Sequence, residues 1–332
     1  MQVADEIASF LHLLQGFGRL AELMGGSQRL RFERRHSAMI TLDALRMLDT
    51  TYWLRSGERA SQRLHCSQST VSRNNMESLT LFGLAMERVD GEWQMHGDVN
   101  LLMMERLVHQ KKRLLGDSVS PPLRVEANFW AAPSLLEPIP KHWEGGTWDH
   151  VGMERPLQLL RERVIDAWIA SYQPDLPDRD PDLCVIDLCR SPVHLVAAVD
   201  HPLAGCGPLS ASDLDPFPSL GLPSGMFPQT EAILRGHGLW QTRVRMKRYR
   251  PELWHGRTED QVTLTYATCL ALEVMPGLVP LDFNLGLISG ESLVVRRDLL
   301  EEVVIQDLLQ LLIHRCELLA EDFPELEMAL NG

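Results

Sequence analysis

The chain has 332 residues, of which 45% are hydrophobic and 23% are charged, a balance that is typical of a globular protein with about two domains. Its net charge of −13 argues against a nucleic-acid partner unless the charge is unevenly distributed. No apolar run reaches the about 18 residues of a membrane-spanning helix, and no basic residue precedes the apolar stretch of MQVADEIASFLHLLQGFG, which is therefore a poor signal peptide.

Residues 1–38 are predicted to form an extension. Apolar residues recur at helical spacing over residues 4–24, and Gly25-Gly26 ends that pattern. The segment SQRLRFERRHSA that follows is polar and basic. We expect one helix and a linker here.

Residues 39–97 are predicted to form a winged helix-turn-helix. Helical apolar spacing covers residues 41–54, and two further short helices cover residues 58–65 and 67–82. Two strand-like stretches flank Asp90-Gly91, a dipeptide typical of a two-residue hairpin. Helix, helix, turn, helix and hairpin in this order are typical of a winged helix-turn-helix.

A long helix is predicted over residues 98–116, within a linker that spans residues 98–121. Its apolar residues are Leu101, Leu102, Met104, Leu107, Val108, Leu114 and Leu115. Because this helix has little domain of its own to pack against, we expect its apolar stripe to bind a second copy of the chain. The Pro- and Ser-rich segment DSVSPP marks the next boundary.

Residues 122–332 alternate between strand-like and helix-like segments, which predicts an α/β domain with a largely parallel sheet. The strand-like segments are LRVEANF, WDHVGM, LCVIDL, HLVAAV, LVP and SLVVRR. The helix-like segments are PLQLLRERVIDAWIAS, EAILRGHG, DQVTLTYATCLAL and LLEEVVIQDLLQLLIHRCELL, and SLLEPIPKHW is partly helical. The predicted fold class is therefore α plus α/β.

The charge is in fact unevenly distributed. Residues 118–332 have a net charge of −14, whereas residues 39–117 contain ten basic and ten acidic side chains. Between Arg55 and Arg73 there are four arginines and one acid. A locally basic patch on a neutral module is compatible with DNA binding, although surface arginines are common.

Three stretches, taken in order, match the pattern of a known family. RASQRLHCSQSTVSR (residues 59–73) is a helix ending in leucine, followed by Ser-Gln-x-x-Val-Ser-Arg. Next come LVA and DHPLA (195–204), and then LVVRR (293–297) before a long helix. From about Met39 to the C-terminus, about 290 residues, the chain resembles the LysR-type transcriptional regulators. MITLDALRML is similar to the family's usual start, so the extension is interpreted as a mis-called start or, less favoured, an added helix.

The resemblance implies an N-terminal winged helix-turn-helix, a long linker helix and a two-lobed effector domain of the periplasmic-binding-protein type. It also implies a homodimer or homotetramer. Asn75 and Ser78 stand at positions that are usually apolar in the family, with Met76 and Leu79 one step away. We therefore expect the rear of the helix over residues 67–82 to pack outside the usual register.

The predicted partner of the first domain is double-stranded DNA. The candidate DNA-binding residues are Arg59, Arg63, Ser67, Gln68, Ser69, Thr70, Ser72, Arg73 and Arg88. Side chains of the helix's first turn can contact base edges in the major groove, arginines of the preceding helix can contact phosphates, and Arg88 belongs to the wing with Trp93. The alternative is that Ser67 is an ordinary N-cap and Gln68 a solvated residue.

The predicted partner of the second domain is a small-molecule effector in the cleft between its lobes. The candidate residues are Asn128, Phe129, Trp130, Ser224, Gly225, Gln229, Thr230 and Thr268. Loops that follow strands open on such clefts, and a helix N-terminus near Gln229 and Thr230 would favour an anionic group. Alternatively, the two aromatic residues serve only packing and Thr230 is a helix cap.

Enzyme motifs such as HExxH, GxSxG, GxGxxG and the P-loop are absent from the sequence, so we predict no catalytic, metal or cofactor site. Six scattered cysteines without a CxxC pair favour reduced thiols in a cytoplasmic protein, with a redox sensor as a minor alternative. The sequence predicts a DNA-binding transcriptional regulator whose DNA binding is modulated by an effector. The alternative is a ligand- or partner-binding module whose helix-turn-helix has lost sequence-specific DNA readout.

Overall fold

The structure is a computed structural model that describes residues 40–115, 120–171, 173–177, 179–246, 248–250, 254 and 262–329. The predicted extension over residues 1–38 lies outside the described residues. The chain divides into two compact units. Unit 1 contains the described residues up to Thr51 together with Ser56–Glu87 and Gln94–Val99, and unit 2 contains Tyr52–Arg55, Arg88–Trp93 and the described residues from Asn100 onward.

The helix-turn-helix has the element order that the sequence predicts. Its elements are α1 (Leu42–Leu54), α2 (Gly57–Arg63), α3 (Gln68–Phe82), β1 (Ala85–Val89) and β2 (Glu92–His96). The two strands pair in a two-stranded sheet. Apolar side chains from all three helices are buried, among them Leu45 and Leu48 of α1, Ala60 of α2 and Val71 of α3. Burial of each large aliphatic side chain contributes about 1.5–3 kcal/mol, which holds the three helices together.

The rear of α3 keeps the register of its front, so the expected change of register is wrong. Asn75 and Ser78 are buried, whereas Met76 is 64% exposed. The Asn75 side chain donates from Nδ2 to Thr51 Oγ1 at 2.9 Å, and Thr51 in turn donates to the carbonyl of Met47. The bond to Thr51 satisfies the donor of the Asn75 amide, whereas Asn75 Oδ1 and Ser78 Oγ have no partner among the described residues. The helix α3 therefore packs in register at some cost in free energy.

We expect Ser78→Ala to stabilise the chain. Among the described residues Ser78 Oγ has no hydrogen-bond partner, although the side chain is only 1% exposed. Removing a buried hydroxyl without a partner should raise the free energy of unfolding by about 1 kcal/mol, part of it from the better helix propensity of alanine. The measurement is urea denaturation of the two proteins. Ser72→Ala, on the exposed side of the same helix, changes propensity alone, and an equal gain in that variant would contradict the explanation.

Unit 2 is a mixed α/β structure. In chain order its further elements are α4 (Asn100–Leu114), β3 (Leu123–Ala127), α5 (Ala131–Leu136), β4 (Trp143–Gly145), α6 (Glu154–Arg161), β5 (Ala167–Ala170), β6 (Leu183–Asp187), β7 (Cys189–Pro192), β8 (His194–Ala198), α7 (Ala211–Leu214), β9 (Leu220–Gly221), α8 (Pro228–Gly236), β10 (Thr242–Arg243), β11 (Thr265–Ala267), α9 (Cys269–Glu273), β12 (Leu278–Pro280), β13 (Ile288–Ser289), β14 (Ser292–Arg296), α10 (Val303–Asp322) and β15 (Glu327–Met328). Among the described residues no helix combines the length and the apolar character needed to cross a membrane.

These strands form two lobes and a small connecting sheet. The first lobe has the strand order β4-β3-β5-β14-β6, and its core includes side chains of α5 and α10. The second lobe has β11-β8-β12 and the pair β10-β9, which an isolated bridge between Ser219 and Leu264 connects. The strands β13-β7-β15 form the connecting sheet. The predicted two-lobed α/β architecture is therefore present.

Several local predictions in unit 2 are wrong. The main sheet itself is largely parallel, as predicted: β4, β3, β5 and β6 run in one direction, and only β14 is antiparallel to its neighbours β5 and β6. The predicted helix PLQLLRERVIDAWIAS is α6 followed by β5, and DQVTLTYATCLAL contains β11 and α9. WDHVGM contains no strand, while β4 was not predicted. All four residues of β5 are buried, and such a short apolar run has no periodicity that distinguishes a strand from a helix.

The helix α4 has a polar buried face and an apolar exposed face. Arg113 donates from Nε and Nη2 to the two carboxylate oxygens of Asp166, both at 2.9 Å. Gln110 also donates to Asp166 at 2.8 Å, and Arg106 pairs with Glu162 at 3.1 Å. These buried charges are paired, as burial requires. The exposed apolar residues of α4 are Leu101, Met104, Leu107 and Val108, and the exposed Leu115 directly follows the helix.

Candidate functional site

The N-terminus of α3 is closed by a hydroxyl cap. Ser67 has an extended backbone, and its Oγ accepts from the N–H of Thr70 at 3.1 Å. The same oxygen lies 2.8 Å from the hydroxyls of both Ser69 and Thr70. Such a cap satisfies an N–H group that has no partner within the helix. The structure therefore explains Ser67 as an N-cap, and it places the half-buried Thr70 in the same network.

The front of α3 presents an exposed polar face. Gln68, Ser69, Ser72 and Arg73 are all exposed, and residues four apart in a helix lie on the same side. Val71 faces the opposite way and is 1% exposed. The face offers an amide, two hydroxyls and one guanidinium. These are the groups that hydrogen-bond to base edges and phosphates in the major groove.

The other candidate DNA contacts lie outside α3. Arg59 is exposed on α2, and Arg63, the last residue of that helix, is half-buried. Arg88 belongs to unit 2, where its guanidinium lies 5.7 Å from the ring centroid of Trp93 and its Nε donates to the carbonyl of Gly91. The structure thus brings together all the candidates except Arg88 in unit 1.

A cavity of about 140 Å³ lies where the two lobes of unit 2 meet. Three of the predicted effector residues line it: Trp130, Thr230 and Thr268. Five further aromatic residues line it that the sequence reasoning missed: Phe227, Trp240, Tyr249, Trp254 and Tyr266. A signal for four of them was present, since residues 240–266 contain four of the chain's twelve Trp and Tyr residues.

The remaining candidates do not line the cavity. Asn128 is 1% exposed, and its carbonyl accepts the N–H groups of two residues of α5. The ring of Phe129 packs 5.0 Å from that of Tyr249, and so supports the aromatic wall from behind. Ser224 Oγ and the N–H of Gly225 both donate to Glu231, at 3.0 and 2.8 Å.

The carboxylates of Glu231 and Asp175 accept hydrogen bonds from the polar groups around the start of α8. The N–H of Gly225, with Arg235 beside it, holds the pKa of the Glu231 carboxyl below its usual value. Asp175 Oδ1 accepts the N–H of Gln229 at 2.7 Å. A carboxylate at this position stabilises the helix dipole. The expected anion-binding position at the helix N-terminus is therefore already occupied by the protein's own side chain.

A buried carboxyl, that of Glu291, lies between β13 and β14 and contacts a residue of the cavity wall. Glu291 is 1% exposed and lies next to β14 in the sequence, and it accepts a hydrogen bond from Ser171, which lines the cavity. Burial raises the pKa of Glu291 to about 8, against the opposing effect of the Ser171 hydroxyl. At neutral pH the group is therefore largely protonated, as expected where a charge has no cationic partner.

Buried thiols lie near this carboxyl. Cys316 Sγ donates to Cys189 Sγ at 3.8 Å, and this contact together with burial raises the pKa of the Cys189 thiol. Burial also raises the pKa of Cys269 to about 11. Thiols with raised pKa values contain little thiolate at neutral pH and are poor nucleophiles, so these cysteines serve the core.

The segment that forms much of the cleft matches a known family model. Residues 149–250 match the model described as the LysR substrate binding domain. Over this segment the chain is similar to LysR substrate-binding domains. The matched segment includes eleven of the residues that line the cavity, among them Thr230, Trp240 and Tyr249. The resemblance to LysR-type regulators that the sequence indicates is confirmed.

Similar structures have been solved. A full-length cysteine-to-aspartate variant of OxyR from Pseudomonas aeruginosa matches with a TM-score of 0.52 at 18% identity, over 83% of this chain and 95% of that one. That likeness confirms the predicted fold class. A peroxide-bound OxyR variant from Corynebacterium glutamicum matches with a TM-score of 0.47 at 21% identity, over 84% and 94%. Full-length CbnR in complex with its target DNA matches with 0.48 at 13%, over 83% and 99%. Comparison with curated protein sequences found no match.

Proposed function

We propose that this LysR-type chain is a DNA-binding transcriptional regulator of the cytoplasm whose DNA binding a small molecule in the cleft modulates. The exposed polar face of α3 carries the proposal, because it lies on the third helix of a winged helix-turn-helix in the same chain as a LysR substrate-binding domain. The alternative, a helix-turn-helix without DNA readout, would be favoured if the polar residues Asn75 and Ser78 disrupted the packing of α3. Both residues are buried in the register set by the front of the helix, so nothing in the packing of α3 favours that alternative.

A small molecule can change the affinity for DNA only if the small molecule and the DNA each bind one conformation of the chain more tightly than the other. A molecule that binds more tightly to one arrangement of the lobes shifts the population toward it by its difference in affinity. Linkage is reciprocal, so operator DNA must change the affinity for the effector by the same factor. The chain's own residues then supply recognition only, and no catalytic residue, metal or cofactor enters the proposal.

We propose that α4 joins two copies into a homodimer, which can associate further into a tetramer. Leu101, Val108 and Leu115 are seven residues apart, and Met104 lies one turn from the first. Apolar residues at this spacing form the seam of a helix pair. Two helix-turn-helix units would then contact half-sites about one helical turn of DNA, or a multiple of it, apart.

Gln68→Ala tests which residues read the sequence. We expect the ratio of specific to non-specific affinity to fall roughly tenfold, because a bidentate amide contact to a base contributes about 1–3 kcal/mol of discrimination. Non-specific affinity should be retained, since phosphate contacts supply it. The measurement is fluorescence anisotropy with a duplex from upstream of the chain's own gene and with a scrambled duplex.

Gln62→Ala is the matched control. Gln62 is an exposed glutamine on α2, and its loss should leave the affinity ratio unchanged. If Gln68→Ala also leaves the ratio unchanged, α3 does not recognise bases through its first turn and the proposed reading face is wrong.

A further inference from the structure

The described residues that form the walls of the cavity between the lobes are uncharged. Of the described residues that line it, none is Asp, Glu, Lys, Arg or His, and six are aromatic. Two aromatic pairs belong to this wall. The ring centroids of Trp130 and Tyr249 lie 5.5 Å apart in an edge-on arrangement, and those of Trp240 and Tyr266 lie 5.8 Å apart. Such a surface binds rings through edge and face contacts, and its described residues provide no counter-ion for a charged ligand.

The polar groups of the lining are largely engaged within the protein. Gln173 donates from Nε2 to Ser292 Oγ at 2.7 Å. The hydroxyl of Tyr266 accepts the backbone N–H of Trp240 at 3.1 Å. A ligand with several polar groups would lose hydration here without replacement bonds. Two lining residues differ. Thr268 Oγ1 accepts from Ala271 N at 3.4 Å, and its proton can be donated to a ligand oxygen. Trp240 Nε1 has no hydrogen-bond partner among the described residues.

Asp175 disfavours an anion beside the cavity. Its Oδ2 accepts from both the backbone N–H and the hydroxyl of Thr230, at 3.2 and 2.5 Å. Thr230 itself lines the cavity. An anionic ligand would therefore meet a fixed negative charge, and it would find the N-terminal N–H groups of α8 already bonded.

The size of the cavity limits the ligand to about one ring. Its about 140 Å³ compares with the about 150 Å³ of an engineered apolar cavity that holds one benzene molecule. We propose that the cleft binds a neutral molecule built on a single ring, with one polar group at Thr268, and discriminates against carboxylates. This inference rests on the proposed function, in which the cleft is the effector site.

The test uses benzamide and benzoate, which have the same ring and nearly the same shape but differ in charge. The full chain is titrated with each by isothermal calorimetry. We expect benzamide to bind at least tenfold more tightly than benzoate. In Asp175→Asn, benzoate should gain at least threefold while benzamide is unchanged. Equal or tighter binding of benzoate to the unmodified chain would overturn the inference, and so would the absence of saturable binding of either compound up to about 10 mM, a weak limit for so small a ligand.

Two variants locate the binding. Ala271→Leu extends a side chain into the cavity and should weaken benzamide at least tenfold. Thr268→Val keeps the shape but removes the hydroxyl, so it should weaken benzamide several-fold and leave toluene, which has no polar group, unchanged. Unchanged benzamide binding in Thr268→Val contradicts the assigned site even if Ala271→Leu fails to fold.

DNA binding by the same preparation separates this inference from the proposed function. Tighter binding of benzoate by a chain that binds its operator refutes only the ligand class. Binding of benzamide by a folded chain that does not bind DNA refutes only the regulator.

Discussion

The double variant Leu101→Glu, Val108→Glu is expected to be monomeric and to lose at least about 100-fold in affinity for an operator with two half-sites. Both side chains are 59% exposed on α4 and lie seven residues apart. In a helix pair each would be buried against the second copy, at about 1.5–3 kcal/mol per side chain. Four glutamates in the seam would also repel one another. Loss of the dimer removes the avidity between half-sites, a factor of about 10²–10⁴.

Sedimentation velocity measures the oligomeric state, and fluorescence anisotropy measures the affinity for a duplex with one half-site and for a duplex with two. Leu318→Glu is the matched control, because Leu318 is 49% exposed on α10, also in unit 2. The control should stay dimeric and keep full affinity. A double variant that remains dimeric, or that loses affinity equally for both duplexes, would contradict the role assigned to α4.

Glu291→Gln is expected to remove a large part of the chain's pH-dependent stability. Burial raises the folded-state pKa of Glu291 to about 8, while the pKa in the unfolded chain is about 4.3. Between these two pH values the folded chain keeps a proton that the unfolded chain has released. This contribution is fully present below the unfolded pKa and is lost as pH rises through the folded pKa. Between about pH 5 and pH 8 the loss is on the order of 3 kcal/mol.

Chemical denaturation at pH 5, 6.5 and 8 measures this effect. The glutamine variant should lack this decline and be more stable than the parent chain at pH 8, since a neutral amide has no charge to desolvate. Glu301→Gln, at an exposed position of the same unit, should change little. A parent chain whose decline with pH survives in Glu291→Gln would show that other groups cause it.

The first half of the chain was predictable because its signals are local. The cap at Ser67, the helical spacing around Val71 and the turn Asp90-Gly91 each act within a few residues. The burial of Asn75 was not predictable in this way, because it depends on the hydroxyl of Thr51 across the core of unit 1. A polar residue at an inward position can mark either a broken pattern or a partner far away in sequence.

The second half was predicted in outline only. β5 is an apolar segment buried on both faces, and its strand state is set by β3 and β14, which come from distant parts of the chain. The cavity shows the same limit. Trp130, Thr230 and Thr268 follow strands or begin helices, so position indicated them, whereas Trp240 and Tyr249 join the wall through tertiary packing. An anionic effector near α8 was expected because the sequence does not show that Asp175 accepts the N–H groups at the start of that helix.

Salt-dependent binding of the full chain to the duplex upstream of its own gene tests the central claim most directly. The chain should prefer this duplex over a scrambled one, and its binding should weaken steeply as salt is raised, because cationic contacts to phosphates release counterions. A folded chain that binds neither duplex at low salt would contradict it.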